Sequence, residues 1–472
     1  VAVSTSLDAA TLLNALDRYP FGCSEQIASR AVAMLYINEL AAQARLSPDG
    51  DIDARIKDAI ARLLARQGSN GSFGLWSVGG EDAWLDAYVT DFLTRAKERG
   101  FEVPAAAFTL ALDRLRNYVG SAPEPAKDGG RELAYALYVL ARNAAAPVGD
   151  LRYIADVKLD DVATPIGKAQ IAAALSMLGD KARADRVYLA ALDSIAPRPK
   201  LELGRADFGS ALRDSAALVT LASEGRAPQK TIDDAVARID AARALSTATS
   251  TQENAWLVLA ARALAKQLNA ISLNVAGETR RGALYRSLRA DDLAAPLAIA
   301  NSGDGNVQAV VSVSGAPLNA EPAAERGFKI ERSYHTLAGE PADPAKARQN
   351  QRFVVVLKMT EPQPQFGRVI VADYLPAGFE IDNPSLVSSG ETSALSWIAD
   401  GVEPVNSEFR DDRFTAAFER KQDSGPVFTV AYVVRAVSPG RYVLPQAIVE
   451  DMYRPDRFGR TSTGAIEIQA AK

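Results

Sequence analysis

For about its first 270 residues the sequence repeats one pattern, an apolar stripe at helical spacing closed by a connector that carries Pro or Gly. Leu7, Leu12, Leu13 and Leu16 form one stripe, with Thr5 or Ser6 placed to cap it and Asp8 in its first turn. A second runs over 26–45 through Ile27, Val32, Met34, Leu35, Ile37 and Leu40. A third, over 52–66, uses Ile56, Ile60, Leu63 and Leu64. Further helical stretches follow at 84–99, 104–119, 131–143, 164–178, 181–195, 208–224, 231–244 and 250–268. About a dozen short-connected helices are consistent with stacked antiparallel hairpins, which can close into an α/α toroid. Its loops then gather at the two ends, where a site can sit. Alanine faces at 172–174 and 260–261 suit close helix packing.

Near Leu268 the periodicity changes. The runs 273–275, 307–313, 353–359, 369–374, 414–419, 427–434 and 442–449 alternate or are β-branched, with turn residues such as Pro376-Ala377-Gly378 between them. The expected fold is therefore multidomain α + β: an α/α toroid of helical hairpins over 1–268, β-strand segments over 269–326, and an antiparallel β-sandwich over 327–472. A segment rich in Ala, Pro, Gly and charge around 336–350 reads as an exposed loop.

Composition narrows the function classes. A net charge of −5 gives no basic field for nucleic acid. No run of 18 apolar residues is present, so no transmembrane helix is expected, and no signal peptide is seen. The chain begins at Val1 and reads as a processed or truncated piece of something longer. One cysteine among 472 residues excludes an intrachain disulfide, and one histidine, His335, excludes a His-rich or Cys₂His₂ metal site. No metal or cofactor is expected.

The lone cysteine lies in Tyr19-Pro20-Phe21-Gly22-Cys23-Ser24-Glu25-Gln26. The Cys23 thiol can bond to the side-chain carbonyl carbon of Gln26 with loss of ammonia, giving an internal thioester. Sulfur donates far less than nitrogen into a carbonyl, so the product is a stored acylating group. Gly22 frees the approach sterically. Glu25 either assists proton transfer during closure or is simply an acid in a helix's first turn. Tyr19 and Phe21 are candidate lids against water, or ordinary core aromatics. The Gly-rich stretch 68–76 lacks the strand and Lys-Ser/Thr of a phosphate cradle, and reads as a loop over the mouth of a helical bundle.

The string 19–26 resembles the thioester signature of the alpha-2-macroglobulin family in its bacterial branch. Animal members usually carry glycine where this chain has Ser24. The stretch 67–76, the run Thr251-Gln252-Glu253-Asn254-Ala255, and the stretches 373–384 and 449–455 are similar to other parts of that family, so the resemblance spans essentially the whole chain. It implies a secreted or periplasmic protease trap. Bait cleavage exposes the thioester, and a lysine amine of the attacking protease is captured covalently. The trap acts once and is not a catalytic enzyme. It also implies that 269–326 is the trailing half of a split, CUB-like β-domain and that 327–472 is the terminal macroglobulin-like domain. Upstream domains of the same polypeptide, a lipid anchor in the inner membrane facing the periplasm, and a peptidoglycan synthase as neighbour are implied as well. In bacterial relatives a tyrosine four residues before the cysteine and a methionine of the terminal domain cover the thioester. Tyr19 matches the first, and Met452, in its Met-Tyr-x-Pro setting, the second. A methionine there is a soft, water-excluding plug, or else part of the sandwich core. Residues 1–334 contain no histidine to intercept the thioester, so direct attack by amines is expected, with His335 structural.

Other classes remain open at this point. An α/α-toroid enzyme would want an Asp-x-Asp-Asp motif or a histidine-containing zinc site, and neither is present. A Cys23–His335 hydrolase has no recognisable oxyanion string. A binding scaffold in which the thioester never forms is the third alternative.

Overall fold

The computed structural model describes residues 2–4, 7, 22–36, 51–121, 124–196, 204–245, 248–264, 271–286, 288–305, 307–311, 313, 319–382, 397–398 and 401–471. The chain divides into two compact units. The first comprises Val1–Glu202, Ala206–Ser246 and Thr251–Val313; the second comprises Leu203–Arg205, Thr247–Ser250 and Ser314–Lys472. Among the described residues, no helix is long and apolar enough to cross a membrane.

After a short strand β1 (Ala2–Ser4), the first unit is built on α1 (Ser24–Met34), α2 (Ile52–Leu64), α3 (Ala83–Glu98), α4 (Ala105–Gly120), α5 (Arg131–Arg142), α6 (Pro165–Met177), α7 (Lys181–Asp193), α8 (Ala211–Glu224), α9 (Gln229–Arg243) and α10 (Thr251–Ala263). Local chemistry sets the starts. Asp51 caps α2 through the Ala54 N–H (2.9 Å), Asp82 caps α3 through Leu85 (3.1 Å), and Ser210 caps α8 through Arg213 (3.1 Å).

Six of these helices form a closed inner ring, in which α1 packs on α3, α3 on α5, α5 on α6, α6 on α8, α8 on α10, and α10 back on α1. Helices α2, α4, α7 and α9 pack outside the ring. This is the α/α toroid expected from the periodicity. The difference between the layers lies in their sequences. Outer helix α2 buries one stripe of Ile52, Ile56, Ala59, Ile60 and Leu63. Inner helix α6 buries Ile166 through Leu175 apart from Lys168, because neighbours surround it and its alanines let them approach.

Contacts at the two ends show that the inner helices run parallel. Residues from the first turns of α1 and α10 meet, as described below. At the opposite end the fully buried Arg95 of α3 donates to Tyr138 of α5 (2.8 Å), to Tyr36 beyond α1 (3.3 Å) and to Glu224 of α8 (3.4 Å), as well as to Asp91 (2.9 Å). Burial works against its charge, but Asp91, Tyr138, Tyr36 and Glu224 outweigh it. A pocket of about 810 Å³ opens at this end, bounded by Tyr36, Glu98, Arg142 and Arg262 among others.

The first unit also carries β-strands. Strands β2 (Ser272–Val275), β3 (Glu278–Arg281), β4 (Leu284–Tyr285), β5 (Ile299–Asn301) and β6 (Gln308–Val310) form two three-stranded sheets, β3-β2-β5 and β4-β1-β6. Strand β1 lies antiparallel between β4 and β6, pairing Val3 with Leu284 and with Ala309. The chain's first residues thus join the β region, where the sequence reading assigns them to the helical domain. Such pairing spans almost 300 residues of chain and leaves no local trace. A small apolar cluster of Val3, Ile271, Leu273, Val275 and Leu284 fills this region.

The second unit is an antiparallel β-sandwich. Its strands are β7 (Ala324–Arg326), β8 (Lys329–His335), β9 (Ala347–Arg348), β10 (Arg352–Thr360), β11 (Gly367–Tyr374), β12 (Phe379–Ile381), β13 (Asn406–Phe409), β14 (Arg413–Arg420), β15 (Val427–Ala436), β16 (Gly440–Leu444), β17 (Ala447–Asp451), β18 (Arg454–Arg460) and β19 (Gly464–Gln469). A four-stranded sheet, β12-β15-β10-β8, and a six-stranded sheet, β13-β14-β11-β17-β18-β7, enclose a core of alternate inward residues including Phe353, Val355, Leu357, Val369, Val371 and Phe414. Strand β19 pairs with β9 in parallel.

Candidate functional site

Helix α1 begins at Ser24, so Cys23 is its N-cap, with extended backbone (φ −67°, ψ 161°), and Gln26 is the third residue of the first turn. In this position the two side chains reciprocate. The Cys23 backbone N–H donates to Gln26 Oε1 (3.4 Å), while the Gln26 backbone N–H faces the Cys23 side chain. The spacing that suggested ring closure is therefore the spacing of a capping box, which folds the carboxamide back over the cysteine. Cys23, Ser24, Glu25 and Gln26 are all fully buried.

Among the described residues, the amide nitrogen of Gln26 has no hydrogen-bond partner. A buried amide NH₂ left unsatisfied costs about 1–3 kcal/mol. That nitrogen is the atom a thioester would expel as ammonia, so closure of the ring removes the unsatisfied donor.

Glu25 turns into the ring. Its side-chain oxygens accept from Gln252 Nε2 (2.8 Å), from Thr251 Oγ1 (3.1 Å) and from Ser29 Oγ. Ser29 in turn bonds Tyr88 of α3 (2.7 Å) and accepts from Gln252 (3.1 Å). Burial first, and Glu25 second, push the Tyr88 phenol well above its ordinary range. Thr251 and Gln252 open α10, so Glu25 joins the first and last helices of the ring directly behind Cys23. The next residue, Glu253, accepts from Ser210 at the start of α8 (2.6 Å).

Ser24, the departure from the usual glycine, faces the glycine-rich loop. Its hydroxyl donates to the Gly74 carbonyl (2.6 Å) and its N–H to the Leu75 carbonyl (2.8 Å). Arg66 Nη1 reaches both Ser24 Oγ (3.1 Å) and Leu75 O (3.2 Å). A side chain on Gly74 would collide with the Ser77 and Gly79 carbonyls, and Gly71 is left-handed (φ 85°) against α4. The Phe73 N–H is anchored to Asp86 Oδ1 (2.7 Å). Burial pushes the Asp86 carboxyl up to about 6, against the Phe73 N–H and Arg114, which hold it down. On the other side of Cys23, the open face of Gly22 is taken by Arg62, whose Nη2 lies 2.6 Å from where a Cβ would stand.

The structure thus brings together Gly22, Cys23, Glu25 and Gln26 from the sequence reading. Tyr19 and Phe21 lie outside the described residues. Met452 belongs to the second unit, in the turn between β17 and β18. Its N–H donates to the Arg368 carbonyl (2.8 Å), and Asp451 Oδ1 holds the turn through the Tyr453 and Arg454 N–H groups (3.1 and 3.2 Å). It is not a member of the sandwich's apolar core cluster. His335 is likewise in the second unit, its ring nitrogens against Gly339 O (3.1 Å) and Ser333 Oγ (3.0 Å), its ring 4.9 Å from Trp397. Residues the sequence reading did not assign to the site are Ser24, Arg66, Thr251 and Gln252. In the sequence Arg66 reads only as the end of a helix and Thr251 and Gln252 only within a family resemblance, and their partners at Ser24 and Glu25 lie 42 to 227 positions away.

Comparisons with known proteins show what the chain is similar to. A family model described as the A-macroglobulin TED domain matches residues 2–114, and one described as the bacterial alpha-2-macroglobulin MG10 domain matches 327–456. The chain is 34% identical to alpha-2-macroglobulin of Escherichia coli over 98% of its own length, and 30% identical to that of Xylella fastidiosa over 94%. It spans 29% of the length of each. Among solved structures it is similar to native E. coli alpha-2-macroglobulin from domain MG7 to the C-terminus, with a TM-score of 0.83 and 28% identity over 99% of this chain and 76% of that one. It is also similar to Salmonella alpha-2-macroglobulin reacted with methylamine, with a TM-score of 0.85 and 30% identity over 99% of this chain and 31% of that one.

Proposed function

The chain belongs to the bacterial alpha-2-macroglobulin family, and from that premise we propose that it carries the reactive portion of a covalent protease trap, armed by a Cys23–Gln26 thioester. The observation that carries the reading is the buried capping turn, in which Gln26 is folded onto Cys23 and its amide nitrogen has no partner among the described residues. On closure the thiol sulfur bonds the Gln26 carboxamide carbon, and the amide nitrogen leaves as ammonia with the thiol proton. On attack, a neutral lysine amine adds to the same carbon. The carbon–sulfur bond breaks, an amide forms, and the amine's proton ends on the departing sulfur. Each molecule reacts once, so the protein inhibits rather than catalyses.

Burial supports the reading, since a thioester persists only where water is kept out. Tyr19, Phe21 and Met452 are proposed to complete that exclusion, and Glu25 to support the turn from behind. With no histidine in residues 1–334, direct aminolysis is the proposed route. The similar Salmonella protein was solved after reaction with methylamine, a small amine of the kind this chemistry accepts. Bait cleavage, upstream domains, a lipidated periplasmic anchor and a neighbouring peptidoglycan synthase belong to the same proposal.

Intact mass tests it. Fresh protein is expected to be lighter than its sequence by one ammonia. Methylamine should then add its own mass and release one thiol. Cys23→Ser should do neither. Full sequence mass with a free thiol in freshly prepared protein would overturn the reading in favour of a scaffold that binds without reacting.

A further inference from the structure

Two arginines four residues apart contact the residues on either side of the reactive cysteine in sequence. Arg62 lies in the last turn of α2 and Arg66 one turn beyond it. Arg62 Nη2 packs over the Cα of Gly22, immediately before Cys23. Arg66 Nη1 is fixed by Ser24 Oγ (3.1 Å) and Leu75 O (3.2 Å), immediately after it. The glycine at 22 has a consequence beyond backbone freedom, since any larger residue would push Arg62 off the turn. Ser24 supplies the acceptor that a glycine at this position would lack.

We propose that Arg62 and Arg66 are positioning residues that hold positive charge beside the turn carrying Cys23 and so favour departure of its sulfur as thiolate when an amine attacks. This rests on the thioester reading above. The rate of aminolysis depends on the leaving group, and a sulfur held in a positive field at a helix N-terminus leaves more readily. Both charges sit on one helix end, so packing of α2 against α1 sets them together. They differ in weight. Arg66 is fixed by two acceptors, whereas the Arg62 side chain is 45% exposed and its pairing with Asp58 is long (3.8 Å), so water screens it more.

The reaction keeps its balance as written above. The amine nitrogen bonds the Gln26 carbon, the carbon–sulfur bond breaks, and the sulfur leaves with the electron pair, later taking up the proton lost by the amine. The arginines exchange no proton in this scheme. They lower the cost of the charge that appears on sulfur.

The test uses the full chain as wild type, Arg66→Gln, Arg66→Lys and Arg62→Gln. Intact mass first establishes whether each carries the thioester. The rate of thiol release by methylamine is then followed, and the freed Cys23 is alkylated with iodoacetamide across pH. Arg66→Gln should slow release about tenfold and raise the alkylation midpoint by about one pH unit. Arg66→Lys should stay near wild type, and Arg62→Gln should slow release by about two- to threefold. Loss of folding would instead bring the midpoint to that of a free thiol, about 8.5, and prevent the thioester from forming, which the mass measurement reports first. Should Arg66→Gln fail to fold, the Lys and Arg62 variants still carry the comparison. Unchanged release rates and midpoints in variants that carry the thioester would overturn the proposal. A wild type without the mass deficit would instead overturn the thioester itself.

Discussion

Gln252, in the first turn of the last inner helix, donates to Glu25, in the first turn of the first inner helix, at 2.8 Å. That bond makes closure of the helical ring and posture of the reactive turn a single event. Cys23 and Gln26 flank Glu25 in sequence, so anything that opens the ring here also disturbs the pair. Thr251 and Ser29 add donors to the same carboxyl group, and all of it is buried.

Replacing Glu25 by Gln presents an amide NH₂ to three groups that already donate. At least one donor would lose its acceptor inside the protein, at a cost of about 1–3 kcal/mol. Urea unfolding of the variant should show that loss. Intact mass should show a smaller fraction of protein carrying the thioester. Wild-type stability together with a wild-type mass deficit would mean that the first and last helices are held by other contacts.

Gly74→Ala tests the loop. The new methyl group would collide with the Ser77 and Gly79 carbonyls, which are backbone and cannot swing aside. The loop must shift, carrying with it the carbonyl that accepts from Ser24. A loss of about 1–3 kcal/mol in denaturant unfolding is expected, with faster thiol release by methylamine as the turn loosens.

Asp86 should give the helical unit a pH dependence of definite sign. Burial raises its carboxyl from 3.8 to about 6 in the folded chain. The native state therefore binds its proton more tightly than the unfolded state does. Its favourable contribution is complete below the unfolded value and is lost as pH rises from about 4 to about 6, by up to about 3 kcal/mol. Asp86→Asn keeps an acceptor for the Phe73 N–H but does not titrate. Unfolding by urea at pH 4, 5 and 6 should show the wild type losing stability relative to this variant across the window. A constant difference between the two would contradict the assignment.

Much of the architecture was legible in the residues because its causes are local. The stripe Ile52, Ile56, Ile60, Leu63 recurs at helical spacing because one face of α2 meets the ring, and the alternation at 353–359 reports one inward face of the sandwich. Strand β1 was not legible, since a three-residue strand takes its meaning from partners at 284–285 and 308–310. The site divides the same way. Cys23 and Gln26 were readable because a thiol and a carboxamide three residues apart share the first turn of one helix.

Ser24, Arg66, Thr251 and Gln252 became site residues only through the fold. Nothing in the order of amino acids states that α10 returns to α1, or that the glycine-rich loop lies against Ser24. Sequence by itself determined the chemistry available to this protein: one thiol, one amide within reach of it, no histidine in the first 334 residues, and helices able to bury both groups. Tertiary structure alone decided what surrounds that pair. A closed ring puts residues more than 220 positions apart within hydrogen-bond distance, and burial leaves the Gln26 nitrogen without a partner among the described residues. The reason is physical. Spacing along a helix is set by the backbone, whereas the field, the solvent exclusion and the unsatisfied donor depend on how separate helices pack.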